Sequence, residues 1–77
     1  MAIPRKDALK RLRSLLPKVD EHLSSIVMEP EAPSVVAWKH EAQNWLQQME
    51  EMLPHVGKKT SAEWRSIIEE RKTDLEQ

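Results

Sequence analysis

Apolar residues recur along the first third of the chain with a 3-4-3-4-3 spacing, at Leu9, Leu12, Leu16, Val19, Leu23 and Ile26. The same spacing returns at Val35, Trp38, Ala42, Trp45, Met49 and Met52. Residues that repeat every seven positions form one stripe on an α-helix, and such a stripe needs a partner helix to cover it. Leu46 and Leu53 flank the second stripe, and Val36 and Ala37 thicken its start. A face that wide predicts a central helix touched from two sides. A third, shorter stripe holds Trp64, Ile67, Ile68, the stem of Arg71, and Leu75.

Prolines and caps set the predicted boundaries. Helix 1, over about residues 5–28, follows Pro4, whose missing N–H costs nothing at a first helical turn. Pro17 falls inside it, at the outward-facing position of the heptad, where a proline bends the helix convex to solvent and leaves the inner stripe in register. One helix kinked at Pro17 is therefore expected, with two helices broken between Leu15 and Lys18 as the alternative. Glu29-Pro30-Glu31-Ala32-Pro33 reads as a connection, because each proline disfavours helix in the residue before it. Helix 2 spans about residues 34–53 and stops at Pro54, and His55-Val56-Gly57-Lys58-Lys59 turns the chain. Thr60 followed by Glu63 fits a capping box and predicts a third helix over about residues 61–75. Its last turn, from Thr73 to Gln77, is expected to fray. Short connections make sequential helices antiparallel. The whole of residues 1–77 is thus read as a single all-α domain, an antiparallel up-down-up three-helix bundle. The residues filling the first two stripes differ throughout, so their shared spacing is not read as an internal duplication.

Composition supports the helical reading. One Gly and no Phe or Tyr among 77 residues leave little to build hairpins or strands with. The absence of Cys excludes disulfides and thiolate metal sites. A core this small supplies only about 3–5 kcal/mol, so self-association rises as an available means of support, and the partner is read as another protein or a second copy of the chain in a homo-oligomer such as a homodimer. No apolar run reaches the roughly 18 residues that span a bilayer, and the basic start, Met1 to Lys6, lacks the apolar stretch of a signal peptide. A cytoplasmic protein with no membrane partner is the expectation.

Charge is polarised along the chain. Residues 1–19 hold Arg5, Lys6, Lys10, Arg11, Arg13 and Lys18 against Asp7 alone, while residues 20–54 hold seven acids against Lys39. The remainder balances, and the total is −1. A basic arm can be an electrostatic footprint for nucleic acid, but a near-neutral total and the lack of a recognisable motif favour a solvated helix face.

Candidate chemistry is sparse. His40-Glu41-Ala42-Gln43-Asn44 misses the helical zinc-protease motif by its last residue, because Asn44 stands where a second His is needed. His22 and His55 read as surface residues. Glu50-Glu51 and Glu69-Glu70 point about 100° apart on a helix and cannot share a proton or a metal. Glu41 lies at the edge of the tryptophan stripe, where a carboxyl could meet a Trp pocket, and reads as a rim charge. The expected function is a small non-enzymatic protein–protein interaction or accessory module acting through helix packing, with Trp38, Trp45, Met49 and Met52 as candidate partner-binding residues. The alternative is a nucleic-acid-associated regulator using Arg5, Lys6, Lys10, Arg11, Arg13, Lys58 and Lys59. No cofactor, metal or small-molecule ligand is implied.

Overall fold

The computed structural model describes residues 3–76. Three helices, α1 (Arg5–Met28), α2 (Val35–Met52) and α3 (Lys58–Glu76), pack against one another, with a short 3-10 turn (Leu53–His55) between the last two. There is no strand among the described residues. The side chains that meet across the helices define their directions. His22 and Glu41 pair, as do Arg11 and Gln48, so α1 and α2 run antiparallel. Arg5 meets Thr60 and Asp20 meets Arg71, so α1 and α3 run parallel. The chain is an all-α, up-down-up three-helix bundle.

α1 begins where the Pro4 carbonyl accepts the Ala8 N–H at 3.0 Å. It continues unbroken through Pro17, which is exposed. A proline tolerated inside a helix must face water, since the carbonyl one turn earlier loses its intrahelical donor. The single-helix reading holds, and the break between Leu15 and Lys18 does not occur. Two successive turns, Ala32 N–H to the Glu29 carbonyl and Val35 N–H to the Ala32 carbonyl, both at 3.1 Å, carry the chain past Pro30 and Pro33 into α2.

The core contains Ala8, Leu12, Leu15 and Val19 from α1, Ala42, Leu46, Met49 and Met52 from α2, Leu53 and Val56 from the turn, and Ile68 and Leu75 from α3. The buried line of α1 therefore runs one position to the side of the simple heptad. Leu9, Leu16, Leu23 and Ile26 are its half-buried flank, packed against the core. Two helices press on α1, and a face touched from two sides is wider than a two-helix seam.

Two expectations for the third helix are corrected. It starts at Lys58, so Thr60 lies inside the first turn and is no N-cap. Gly57 ends the preceding turn at φ +84°, and its carbonyl accepts the Ser61 N–H at 2.8 Å, the first bond of the helix. A left-handed residue at 57 lets the chain enter the helix three residues before the capping-box signal. The last turn is also anchored: Leu75 is buried, and α3 runs to Glu76. Gln77 lies outside the described residues.

Candidate functional site

α3 seals one side of the α1–α2 hairpin and leaves the other open. Arg71 and Lys72 make the seal. Nε of Arg71 donates to Asp20 Oδ1 at 2.6 Å, and the Lys72 ammonium pairs with Glu50 of α2. Hydrogen bonding to Asp20 raises the Arg71 pKa above the ordinary arginine value. Glu50 does the same for Lys72.

On the open side, residues of α1 at helical spacing, Arg11, Ser14, Lys18 and His22, face Trp38, Glu41, Trp45 and Gln48 of α2. His22 is the hinge of this face. Its Nε2 lies 2.7 Å from Glu41 Oε2, a hydrogen bond that requires the proton on Nε2. The same ring meets Trp45 edge-on at 4.7 Å between centroids and lies 6.5 Å from Trp38. The Lys18 ammonium sits 5.9 Å from the centre of the Trp45 ring, a cation–π contact of about 0.5–1 kcal/mol at an exposed site. Farther toward the start of α1, Arg11 Nη2 donates to Gln48 Oε1 at 3.1 Å. Trp45 and these basic residues border a shallow groove of about 590 Å³ with Ile3, Leu15 and Met52 on its lining.

The four candidate partner-binding residues divide. Met49 is fully buried and Met52 is 7% exposed, so Met49 offers no surface to a partner and Met52 offers only a strip of the groove. Met49 is core because it lies with Ala42 and Leu46 on the α2 line that the rest of the bundle covers, whereas Met52 shares the line of Trp38 and Trp45 and lies with Trp45 on the groove lining. Trp38 and Trp45 remain half-buried at the rim.

The candidate nucleic-acid residues also divide. Arg5 Nη2 donates to Thr60 Oγ1 at 3.4 Å, which gathers Arg5, Lys6, Lys58 and Lys59 at one end of the bundle. Lys10 and Arg11 instead line the groove, and Arg13 is exposed on the outer face of α1. The adjacent carboxylates do not act as pairs: Glu50 is held by Lys72, and Glu70 lies 3.3 Å from Arg71 Nη1. Among the described residues, no group of three or more His, Asp or Glu side chains could hold a metal ion, and no helix is long and apolar enough to cross a membrane.

His22 is the residue that sequence reasoning missed. Its signal was available: it lies four residues after Lys18, and aligning the two stripes across the Glu29–Pro33 connection places it level with Glu41 and between the tryptophans. Comparisons of the chain with protein-family models, curated proteins and solved structures find no match.

Proposed function

We propose that the chain is a small cytoplasmic, non-enzymatic interaction module that binds another protein surface through the open face of its α1–α2 hairpin. One observation carries this reading: α2 buries Ala42, Leu46 and Met49 but leaves Trp38 and Trp45 half-covered, Trp45 on the lining of a groove that also holds Lys10, Arg11 and Lys18. Tryptophan and arginine at a partly desolvated site are the side chains that most often dominate interface energies. The histidine of this face is engaged by Glu41 and the tryptophan rings.

A photo-crosslinking amino acid placed at Ser14 on the open face, and at exposed Ser66 on α3 as a control, tests the reading. Protein adducts at Ser14 that are absent at Ser66 are expected. No adduct at Ser14, or equal adducts at both positions, overturns it.

A second reading, polyanion binding, draws support from the gathering of Arg5 with Lys58 and Lys59 at one end of the bundle. It requires DNA or RNA to shift the amide resonances of those residues at low salt, with binding that weakens steeply as salt rises. Unmoved resonances at low salt dispose of it. The interaction reading is preferred because Lys10 and Arg11 belong to the groove, which divides the basic set.

A further inference from the structure

The cations on the two sides of the α1–α2 hairpin meet groups of different kinds. On the side of α3, Arg71 and Lys72 of that helix meet the hairpin's carboxylates, Asp20 and Glu50. In the groove of the open side the hairpin itself supplies the cations, and what holds them is neutral: Arg11 donates to the Gln48 amide, and Lys18 lies over the Trp45 ring. Such contacts fix a side chain in place and leave its charge uncompensated. No ion pair among the described residues includes Lys10, Arg11 or Lys18. Asp7, the one acid on the lining, stands in the first turn of α1, where the positive end of the helix dipole favours it. The groove therefore carries a net positive charge.

Its apolar part has a matching period. Lys10 and Arg11 stand about two turns, or 10–12 Å, from Lys18 along α1, with Leu15 between them in the chain and on the same lining. Across the groove, Trp45 and Met52 occupy one line of α2 and are seven residues apart. The opposite side of the hairpin shows what such a surface accepts. There a helix, α3, brings Ile68 and Leu75, also seven residues apart, to the core and sets cations against the hairpin's acids.

Resting on the interaction reading above, we propose that the occupant of the open groove is an acidic amphipathic helix of a partner protein. Its carboxylates, two turns apart, meet Lys10 and Lys18, and apolar side chains on the same face reach Leu15, Trp45 and Met52, a helix-in-groove mode of recognition. The charge pattern is that of the α3 side with the signs exchanged. A nucleic-acid strand fits less well, because it carries a charge at about every 3.4 Å, a spacing that neither the two-turn interval of the cations nor the apolar lining matches.

The probe is a synthetic helical peptide of alanine and glutamine that carries two glutamates seven residues apart, with two leucines between them on the same face. Titrated into the full chain up to millimolar concentration, it is expected to shift the amide resonances of Lys10, Arg11 and Lys18 and the indole N–H of Trp45, and to leave Arg5, Lys58 and Lys59 unmoved. A peptide with lysines in place of the glutamates should not bind. Combining Lys10→Glu with Lys18→Glu, both exposed, should weaken binding of the glutamate peptide about tenfold or more and confer binding of the lysine peptide. Arg13→Glu, on the outer face of the same helix, should leave the affinity nearly unchanged. Absence of shifts at millimolar glutamate peptide, or equal shifts with both peptides, overturns the proposal. Groove resonances that move with chain concentration alone assign the face to a second copy, and groove resonances that move with DNA but not with the glutamate peptide assign it to phosphate; either result overturns it as well. Ser14 adducts to a foreign protein that persist undiminished in the double variant overturn the acidic partner and leave the interaction reading standing. If neither adducts nor peptide binding are found, both fall.

Discussion

The two sides of the α1–α2 hairpin draw on one pair of apolar stripes and are finished in opposite ways. On the side covered by α3, Ile68 and Leu75 complete the core, and the charged residues at the border are tied across the helices as Arg71 with Asp20 and Lys72 with Glu50. On the open side the largest side chains, Trp38 and Trp45, are only half-covered; the His22 ring lies against both, and the Lys18 ammonium sits over Trp45. The difference shows how a heptad can serve two purposes at once. Residues on one flank of the stripe stabilise the fold, while those on the other flank are held in place by it and remain available.

Truncations on the two sides give the sharpest contrast. Met49→Ala or Leu12→Ala, both at fully buried positions, should cost about 2–5 kcal/mol, comparable to the entire stability of so small a domain. Loss of the cooperative thermal transition is the expected outcome. Trp45→Ala removes a larger side chain from a half-covered position and should cost less, about 1–2 kcal/mol in the monomer, because much of its surface already faces water. Urea unfolding at a concentration too low for association separates the two. If Trp45→Ala proves as damaging as Met49→Ala, the open side is part of the core and the contrast collapses.

The number of helices, their order and the continuity of α1 through Pro17 were all legible in the sequence, because periodicity and proline positions record backbone requirements directly. The split within the α2 stripe was not. Trp38, Trp45 and Met49 share one heptad seam, and which of them is sealed depends on the side from which α3 approaches. Arg71 and Lys72 determine that through partners on different helices, Asp20 and Glu50, which no local pattern links. His22 was hidden for a similar reason: its environment comes from α2. The Thr60 capping box misled because a local signal was outweighed by Gly57, whose backbone had already turned the chain into α3.

Gly57 joins the sealed side to the rest of the chain and gives a smaller effect. A Cβ at this position would meet Arg5 Cζ at 3.9 Å, an ordinary contact, so space is not the constraint. The cost of Gly57→Ala is the left-handed φ of +84°, which penalises any side chain by about 1–2 kcal/mol. A drop in stability of that size, with Ala62→Gly in α3 as a comparison for ordinary helix propensity, is expected in chemical denaturation. An unchanged midpoint for Gly57→Ala would mean that the turn relaxes and that α3 does not need this entry.

The smallest effect distinguishes the two ion pairs of the sealed side by pH. Both cations have pKa values raised in the folded state, Arg71 chiefly by its hydrogen bond to Asp20 and Lys72 chiefly by its hydrogen bond to Glu50. A raised value means that the folded chain holds the proton more tightly than the unfolded one. The contribution is therefore complete below the ordinary lysine range and is lost as pH rises through the higher folded value. The Lys72 side chain is 41% exposed, so solvent screening keeps the contribution small. Lys72→Met should lower stability slightly at neutral pH, and the gap from the wild-type chain should close as the solution becomes strongly alkaline. The gap produced by Arg71→Met should persist over the same range, because the guanidinium stays charged throughout. A Lys72→Met gap that is constant from neutral to strongly alkaline pH would show that Lys72 acts through its alkyl stem, leaving Arg71 and Asp20 as the charged contact that holds α3 to the hairpin.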